Sequence, residues 1–122
     1  MLLTTSLFAE IKAIVSKDSE ISSISQKQLK KLFLGKTKKF HGHKVVVVDN
    51  TSSSEEFNKK VLKKSKNQIH SYWMKQIFLG KRIPPQKVEQ KEINNLLNSN
   101  NKVITYTNQN MNQNVKVIHE IK

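Results

Sequence analysis

Apolar residues recur along the chain in two periods, and the switches between them mark the elements. Glu10–Val15 (EIKAIV) alternates, with Ile11, Ala13 and Val15 on one face, which predicts a strand. A polar stretch then closes on Ser25, with Gln28 three residues later. That spacing is a capping box, in which the serine accepts from a helical N–H and the glutamine returns a bond to the cap. The helix predicted over 26–34 puts Leu29, Leu32 and Phe33 on one stripe, and Gly35 stops it in the left-handed C′ role. Thr37–His43 reads as a basic loop. Lys44–Asp49 (KVVVVD) is a β-branched run of the kind expected of a strand covered on both faces.

Thr51–Ser54 opens the next helix, with Ser52 and Glu55, or Ser53 and Glu56, as capping boxes. Phe57, Val61 and Leu62 give it an apolar stripe, and Lys59, Lys60, Lys63 and Lys64 cover the other side. A further helix over 67–79 carries Ile69, Tyr72, Trp73 and Ile77 at helical spacing, as core residues do, and stops at Gly80. Ile83-Pro84-Pro85 is a rigid extended connector, because each proline disfavours helix at the residue before it. A short helix over 89–98 follows, with Val88, Ile93, Leu96 and Leu97 as its apolar contribution. Lys102–Thr107 and Val115–Ile121 alternate as strands, joined by the polar turn Asn108–Asn114. The order β-α-β-α-α-α-β-β predicts an α/β three-layer sandwich, a mixed sheet flanked by helices.

Length and charge narrow the partners. A chain of 122 residues makes one domain with one core, and leaves little material for two lobes around a cleft. Twenty-two basic against nine acidic side chains give a net charge of +13. Such a field attracts phosphate, nucleic acid, acidic lipid or an acidic protein. Arg82 is the only arginine, however, and lysine cannot reproduce the bidentate fork that phosphate and guanine recognition favours. The abundance of lysine, asparagine and isoleucine also fits compositional drift, with the lysines as a solvated surface. Absence of cysteine excludes disulfides, cysteine-based zinc sites and thiol chemistry. Residues 1–9 (MLLTTSLFA) end in a small residue before Glu10, with Leu7 at −3 and Ala9 at −1 of a cleavage site. They read as the remnant of a secretory signal, although a basic leading region is missing, or else as a first strand or an ordinary terminus. The first reading makes the protein periplasmic with residues 10–122 as a single domain, and the second leaves the cytoplasm open.

An ordered set of motifs carries a resemblance. S-x-x-Q-L-K-K-L-F-L-G (Ser25–Gly35), VVVVD (Val45–Asp49), F-N-K-K-V-L (Phe57–Leu62), Y-W-M-K-Q-I-F-L-G (Tyr72–Gly80) and Pro84-Pro85 follow one another with fixed spacing. Together they resemble the small phosphate ABC transporter substrate-binding-like proteins, single-lobe relatives of the type 2 periplasmic binding proteins. The resemblance runs from about Glu10 to Ile118. It implies one lobe of that fold, a small oxyanion such as phosphate as ligand, and an ABC permease or a second copy of the chain as protein partner. In full phosphate-binding proteins a glycine-rich, hydroxyl-rich loop after the second strand cradles the anion, with an arginine and an acid nearby. Here that segment is Asp49-Asn50-Thr51-Ser52-Ser53-Ser54, which keeps the acid and the hydroxyls but has neither glycine nor arginine. The family's G-A-I-G-Y strand entry is Lys102-Val103-Ile104-Thr105-Tyr106, without either glycine.

The candidate ligand-binding residues are therefore Asp49, Thr51, Ser52, Ser53 and Ser54. Unpaired N–H groups and the positive end of a helix dipole meet an anion there, the hydroxyls add donors, and Asp49 accepts from a protonated phosphate oxygen. The competing reading is plain N-capping, with Glu55 and Glu56 already answering the dipole. His41 and His43 lack a third and fourth ligand at metal-binding spacing and read as exposed loop histidines; His70 and His119 have no partner pattern. No nucleophile elbow, zinc-protease helix, Walker loop or dinucleotide fingerprint occurs, so the expectation is a binding protein, not an enzyme, without cofactor or metal. Lys36, Lys38 and Lys39, and Lys59 to Lys66, suit a solvated face; without arginine or stacking aromatics they argue against nucleic acid. The alternative function is an interaction protein that keeps the lobe as scaffold and offers a basic face to an anionic partner or surface. No segment is long and apolar enough to span a membrane.

Overall fold

The computed structural model describes residues 10–111 and 114–122; the signal-like segment 1–9 lies outside them. Its strands are β1 (Ile11–Ser16), β2 (Lys39–Phe40), β3 (His43–Lys44), β4 (Val46–Asn50), β5 (Gln86–Val88), β6 (Val103–Thr107) and β7 (Val115–Ile121). Its α-helices are α1 (Gln26–Phe33), α2 (Ser54–Phe57), α3 (Lys66–Phe78) and α4 (Gln90–Ser99), and α2 runs on into a π-helical turn, Asn58–Leu62. Five strands form a mixed sheet in the order β5-β4-β6-β1-β7. Strand β4 pairs parallel with β5 and β6, whereas β1 is antiparallel to β6 and β7. Helices cover both faces, so the α/β sandwich expected from the element order is present.

Two apolar layers explain where each element lies. On one face Ile11, Ala13 and Val15 of β1 and Ile104 and Tyr106 of β6 meet Leu29, Leu32 and Phe33 of α1 and Phe57, Val61 and Leu62 of the α2–π segment. On the other, Ile14, Val48 and Val103 pack against Ile93 and Leu97 of α4. Strand β1 is thus apolar on both sides, where the alternation of EIKAIV points to one. Its place between β6 and β7, under helices on each face, leaves no solvated side. The centre of the first layer is aromatic. Phe57 and Tyr106 stack with centroids 3.8 Å apart and planes 3° apart, and Phe33 tilts against both.

Several local expectations change. The VVVVD strand begins at Val46 and ends at Asn50, and Val46 is exposed rather than covered. The basic loop contains the β2–β3 hairpin, whose two turn residues, His41 and Gly42, have φ of +50° and +80°. Positive φ at both centres is what a tight two-residue hairpin needs, so His41 and Gly42 serve a turn, and His43 pairs with Phe40 as the first residue of β3. The connector after Pro84-Pro85 runs into β5, a three-residue edge strand too short to show a period. In β7, the pairing shifts between Ala13↔His119 and Ile14↔Val117, which leaves Ile118 as an extra residue. This bulge reverses the strand's phase, so Ile118 joins Ile121 in the first layer and the strict alternation of the sequence is broken. In α3, Trp73 is buried and Ile69 and Tyr72 pack partly, but Ile77, expected in the core, is half exposed.

The predicted capping boxes behave differently at α1 and α2. Ser25 Oγ accepts from the Gln28 N–H at 3.1 Å, and the Ser25 N–H donates to Gln28 Oε1 at 3.0 Å, as expected. Neither box forms at α2: its N-cap is Ser53, which makes no side-chain capping bond. The i→i+5 winding that follows carries Val61 and Leu62 onto the face of Phe57, and Lys63 closes it at φ +58°. Because Phe57 fills the aromatic centre beneath this irregular segment, Phe57→Ala is expected to lower unfolding free energy by about 3–5 kcal/mol. Urea denaturation measures it, and a loss below about 1 kcal/mol would contradict the packing described.

Candidate functional site

Strands β4 and β6 run parallel and end side by side, and the segment 51–54 leaves β4 at that edge. Open α/β sheets bind ligands beyond the carboxyl ends of their strands. The edge is organised by Asn50, which is fully buried. Its Nδ2 donates to Tyr106 O of β6 at 3.0 Å and to Gln90 Oε1 of α4 at 2.6 Å. Its Oδ1 accepts from the Ser52 N–H at 3.0 Å, and its carbonyl accepts from the Ser53 N–H at 3.1 Å. Gln90 Oε1 also accepts from Thr107 Oγ1 at 2.7 Å. One amide thus ties β4, β6, α4 and the 51–54 segment together.

The five sequence-predicted residues come together at this edge but do not share one role. Thr51 is held to β5: its N–H and its Oγ1 both donate to Val88 O, at 2.9 and 3.3 Å. Ser54 Oγ reaches back to Thr51 O at 3.5 Å. Ser52 Oγ accepts from the Gln90 N–H at 3.2 Å, so it takes a first-turn N–H of α4 rather than of α2, and its own proton is uncommitted. Ser53 is 4% exposed, and its hydroxyl has no hydrogen-bond partner among the described residues. Since the N–H groups of Ser54, Glu55 and Glu56 lie in the first turn, where no intrahelical acceptor exists, this helix end is uncapped. Glu56 is turned to Lys60 at 3.0 Å.

Asp49 lies on the opposite face of β4 from Asn50, towards the aromatic centre. It accepts from Tyr106 Oη at 2.5 Å. Burial pushes its carboxyl above the ordinary carboxylate range, and the Tyr106 hydroxyl and the Lys87 charge draw it part of the way back. Burial and the adjacent carboxylate keep the Tyr106 phenol protonated far above its usual range. One oxygen of the expected phosphate acceptor is therefore already taken.

Asn50, Gln90 and Tyr106 were not among the predicted residues. Period-2 alternation carries a signal for Asn50, since it falls on the side of Val48 and so into the interior. A polar residue placed there needs partners. Nothing in the sequence pairs it with Gln90, 40 positions away. Elsewhere, His43 Nδ1 meets Glu20 at 3.9 Å on the surface, and no group of three or more His, Cys, Asp or Glu among the described residues could hold a metal. No helix of the described residues is long and apolar enough to cross a membrane.

No family model and no curated protein matches the chain. Solved structures do. One is a protein assigned to the phosphate ABC transporter substrate-binding class, with bound phosphate, from Clostridium perfringens. It superposes with a TM-score of 0.68 at 17% identity, over 89% of this chain and 44% of that one. Another is an ABC-type phosphate transport receptor from Vibrio cholerae, with a TM-score of 0.58 at 15% identity, over 91% and 46%. At these identities the likeness establishes the fold, and the chain spans less than half the length of either protein. The first is described as a binding protein and the second as a receptor.

The buried carboxyl gives a signed test. A raised pKa in the folded state means that the folded protein binds more protons than the unfolded chain between about pH 3.9 and the raised value. The stability this contributes is present at low pH and lost as pH rises through the folded pKa. Asp49→Asn removes the charge while its amide oxygen still accepts from Tyr106. Its stability relative to wild type should therefore increase from pH 4 to pH 7 in about three urea titrations across that range. A relative stability that falls over the range would contradict the assignment.

Proposed function

We propose that residues 10–122 form one lobe of a periplasmic substrate-binding-like protein of the phosphate-transporter type. It takes a small oxyanion, phosphate first, at the uncapped N-terminal turn of α2. The observation that carries the proposal is the Ser53 hydroxyl, buried without a partner beside three first-turn N–H groups. An unsatisfied buried hydroxyl costs about 1–3 kcal/mol. On rotation about χ1 it would donate to an anion seated on those N–H groups. Ser52, which accepts from Gln90 and keeps its own proton, adds a second donor. Thr51 and Ser54 spend their protons on carbonyls and act as supports. Asp49 offers its remaining oxygen to a protonated phosphate oxygen.

The absence of glycine from the loop is compatible with this arrangement, because the donors come from a helix turn rather than from a coiled cradle. A single lobe leaves the anion open on one side. The missing wall would come from a second copy of the chain or from the permease, and residues 1–9 would be the remnant of the export signal.

Calorimetry at low salt should return a Kd for phosphate of about 1 mM, equivalent to about 4 kcal/mol. Ser53→Ala and Ser52→Ala should each weaken it by about tenfold, and Thr51→Val should leave it within about twofold. Absence of both heat and thermal stabilisation with millimolar phosphate or sulfate would overturn the proposal.

A further inference from the structure

Between Glu56 and Glu89 the chain contains no acidic residue, and those 32 positions hold eight lysines and Arg82. The same segment concentrates exposed apolar surface. Of the seven large apolar side chains exposed among the described residues, five are Met74, Ile77, Phe78, Leu79 and Ile83. Phe78 is 88% exposed and Ile83 is 80% exposed. Met74, Ile77 and Phe78 stand at i, i+3 and i+4 and so share one helix face, with Leu79 at the helix end and Ile83 on the connector beyond Gly80.

This tip is held firmly. Arg82 donates to Tyr72 Oη at 2.8 Å, and Tyr72 donates to Leu34 O at 2.6 Å. Arg82 and Trp73 also pack beside Gly35, whose φ of +72° is the left-handed conformation that favours glycine. The connector is therefore tied to the end of α1, while Phe78 and Ile83 are left facing outward. Large apolar side chains exposed together in this way mark a contact surface.

We propose that the end of α3 and its connector form a peripheral contact site for an anionic lipid bilayer. Charge complementarity supplies the first reason: the tip is flanked by Lys75 and Lys81, and no carboxylate of the segment opposes a negative surface. The kind of cation supplies the second. Protein interfaces enrich arginine and deplete lysine. A headgroup layer is a diffuse negative surface that lysines satisfy without fork geometry. The one arginine here is committed to Tyr72. A second copy of the chain would bring the same cations to the same patch and repel it. Phe78, Ile77 and Ile83 would enter the headgroup–acyl boundary with the lysines around them, as interfacial helices do. Val46, Val47, Ile83 and Pro84 line one groove of about 230 Å³ where β4 begins, whereas the 51–54 turn lies where β4 ends. The Ile83 end of the bilayer contact thus lies at the opposite end of β4 from the oxyanion turn, and the contact does not depend on that turn.

Vesicle flotation tests the site, with vesicles of about one-third phosphatidylglycerol in phosphatidylcholine beside pure phosphatidylcholine. The wild-type protein should float with the anionic vesicles, at least about tenfold better than with neutral ones, and less so as salt rises. Phe78→Ser with Ile83→Ser should lower the bound fraction about tenfold while circular dichroism and the melting curve stay unchanged. Phe78→Trp should show a blue shift of emission with anionic vesicles beyond that of wild type. Failure of the wild type to float would overturn the proposal, as would a double variant that floats as well as wild type. Phe78-dependent retention on polyglutamate by a protein that does not float would assign the surface to an acidic protein and overturn it equally.

Discussion

Asn50 is polar, fully buried and placed at the last position of β4, and every hydrogen-bonding site on its amide that the fold can reach is occupied. Burying an amide without partners would cost several kcal/mol, so the arrangement around it is not free to vary. The Tyr106 carbonyl fixes β6 against β4, Gln90 fixes the start of α4, and the Ser52 N–H fixes the turn between strand and helix. With those three contacts made, Ser52 Oγ must face Gln90 and cannot cap α2. The helix end is left open because Ser52 is engaged by Gln90 and Ser53, the N-cap itself, makes no capping bond.

That single constraint connects the two faces of the sheet. Asn50 points into the α4 layer, and its neighbour Asp49 points into the aromatic layer, where Tyr106 meets it and Phe57 stacks on Tyr106. The irregular start and π-helical continuation of α2 follow from the same geometry. The helix must leave the edge at Ser53, bring Phe57 under Tyr106 and still deliver Val61 and Leu62 to the core. The likeness to the two longer proteins is one of fold, over less than half of either.

Much of the fold was legible because it depends on periods and on local caps. The Ser25–Gln28 box, the β-branched run before Asp49 and the stop at Gly35 each rest on residues close in sequence. Features set by distant partners were not legible. β5 is three residues long and exists because β4 offers it an edge; the Ile118 bulge exists because β1 must bury both sides. At the site, the cluster Asp49–Ser54 was found from its hydroxyls and its place before a helix. Its division of labour was not, because Ser52 is claimed by Gln90, 38 positions on, and Thr51 by Val88, 37 positions on. Ile77 was misread for a related reason: helical spacing identifies a stripe, but not how far along the helix the core extends.

The lobe presents two chemically different surfaces, an uncapped helix turn where β4 ends and a lysine-flanked apolar tip whose Ile83 end lies where β4 begins. Whether the first holds an oxyanion is the central claim, and amide resonances report on it residue by residue. In a phosphate titration followed by nitrogen–proton correlation spectra, the amides of Ser53, Ser54, Glu55 and Glu56 should move together along one saturable curve. Those of Phe78 and Lys81 should stay in place. Small, unsaturated shifts spread over the lysine-bearing surface, with none at Ser53–Glu56, would contradict the account.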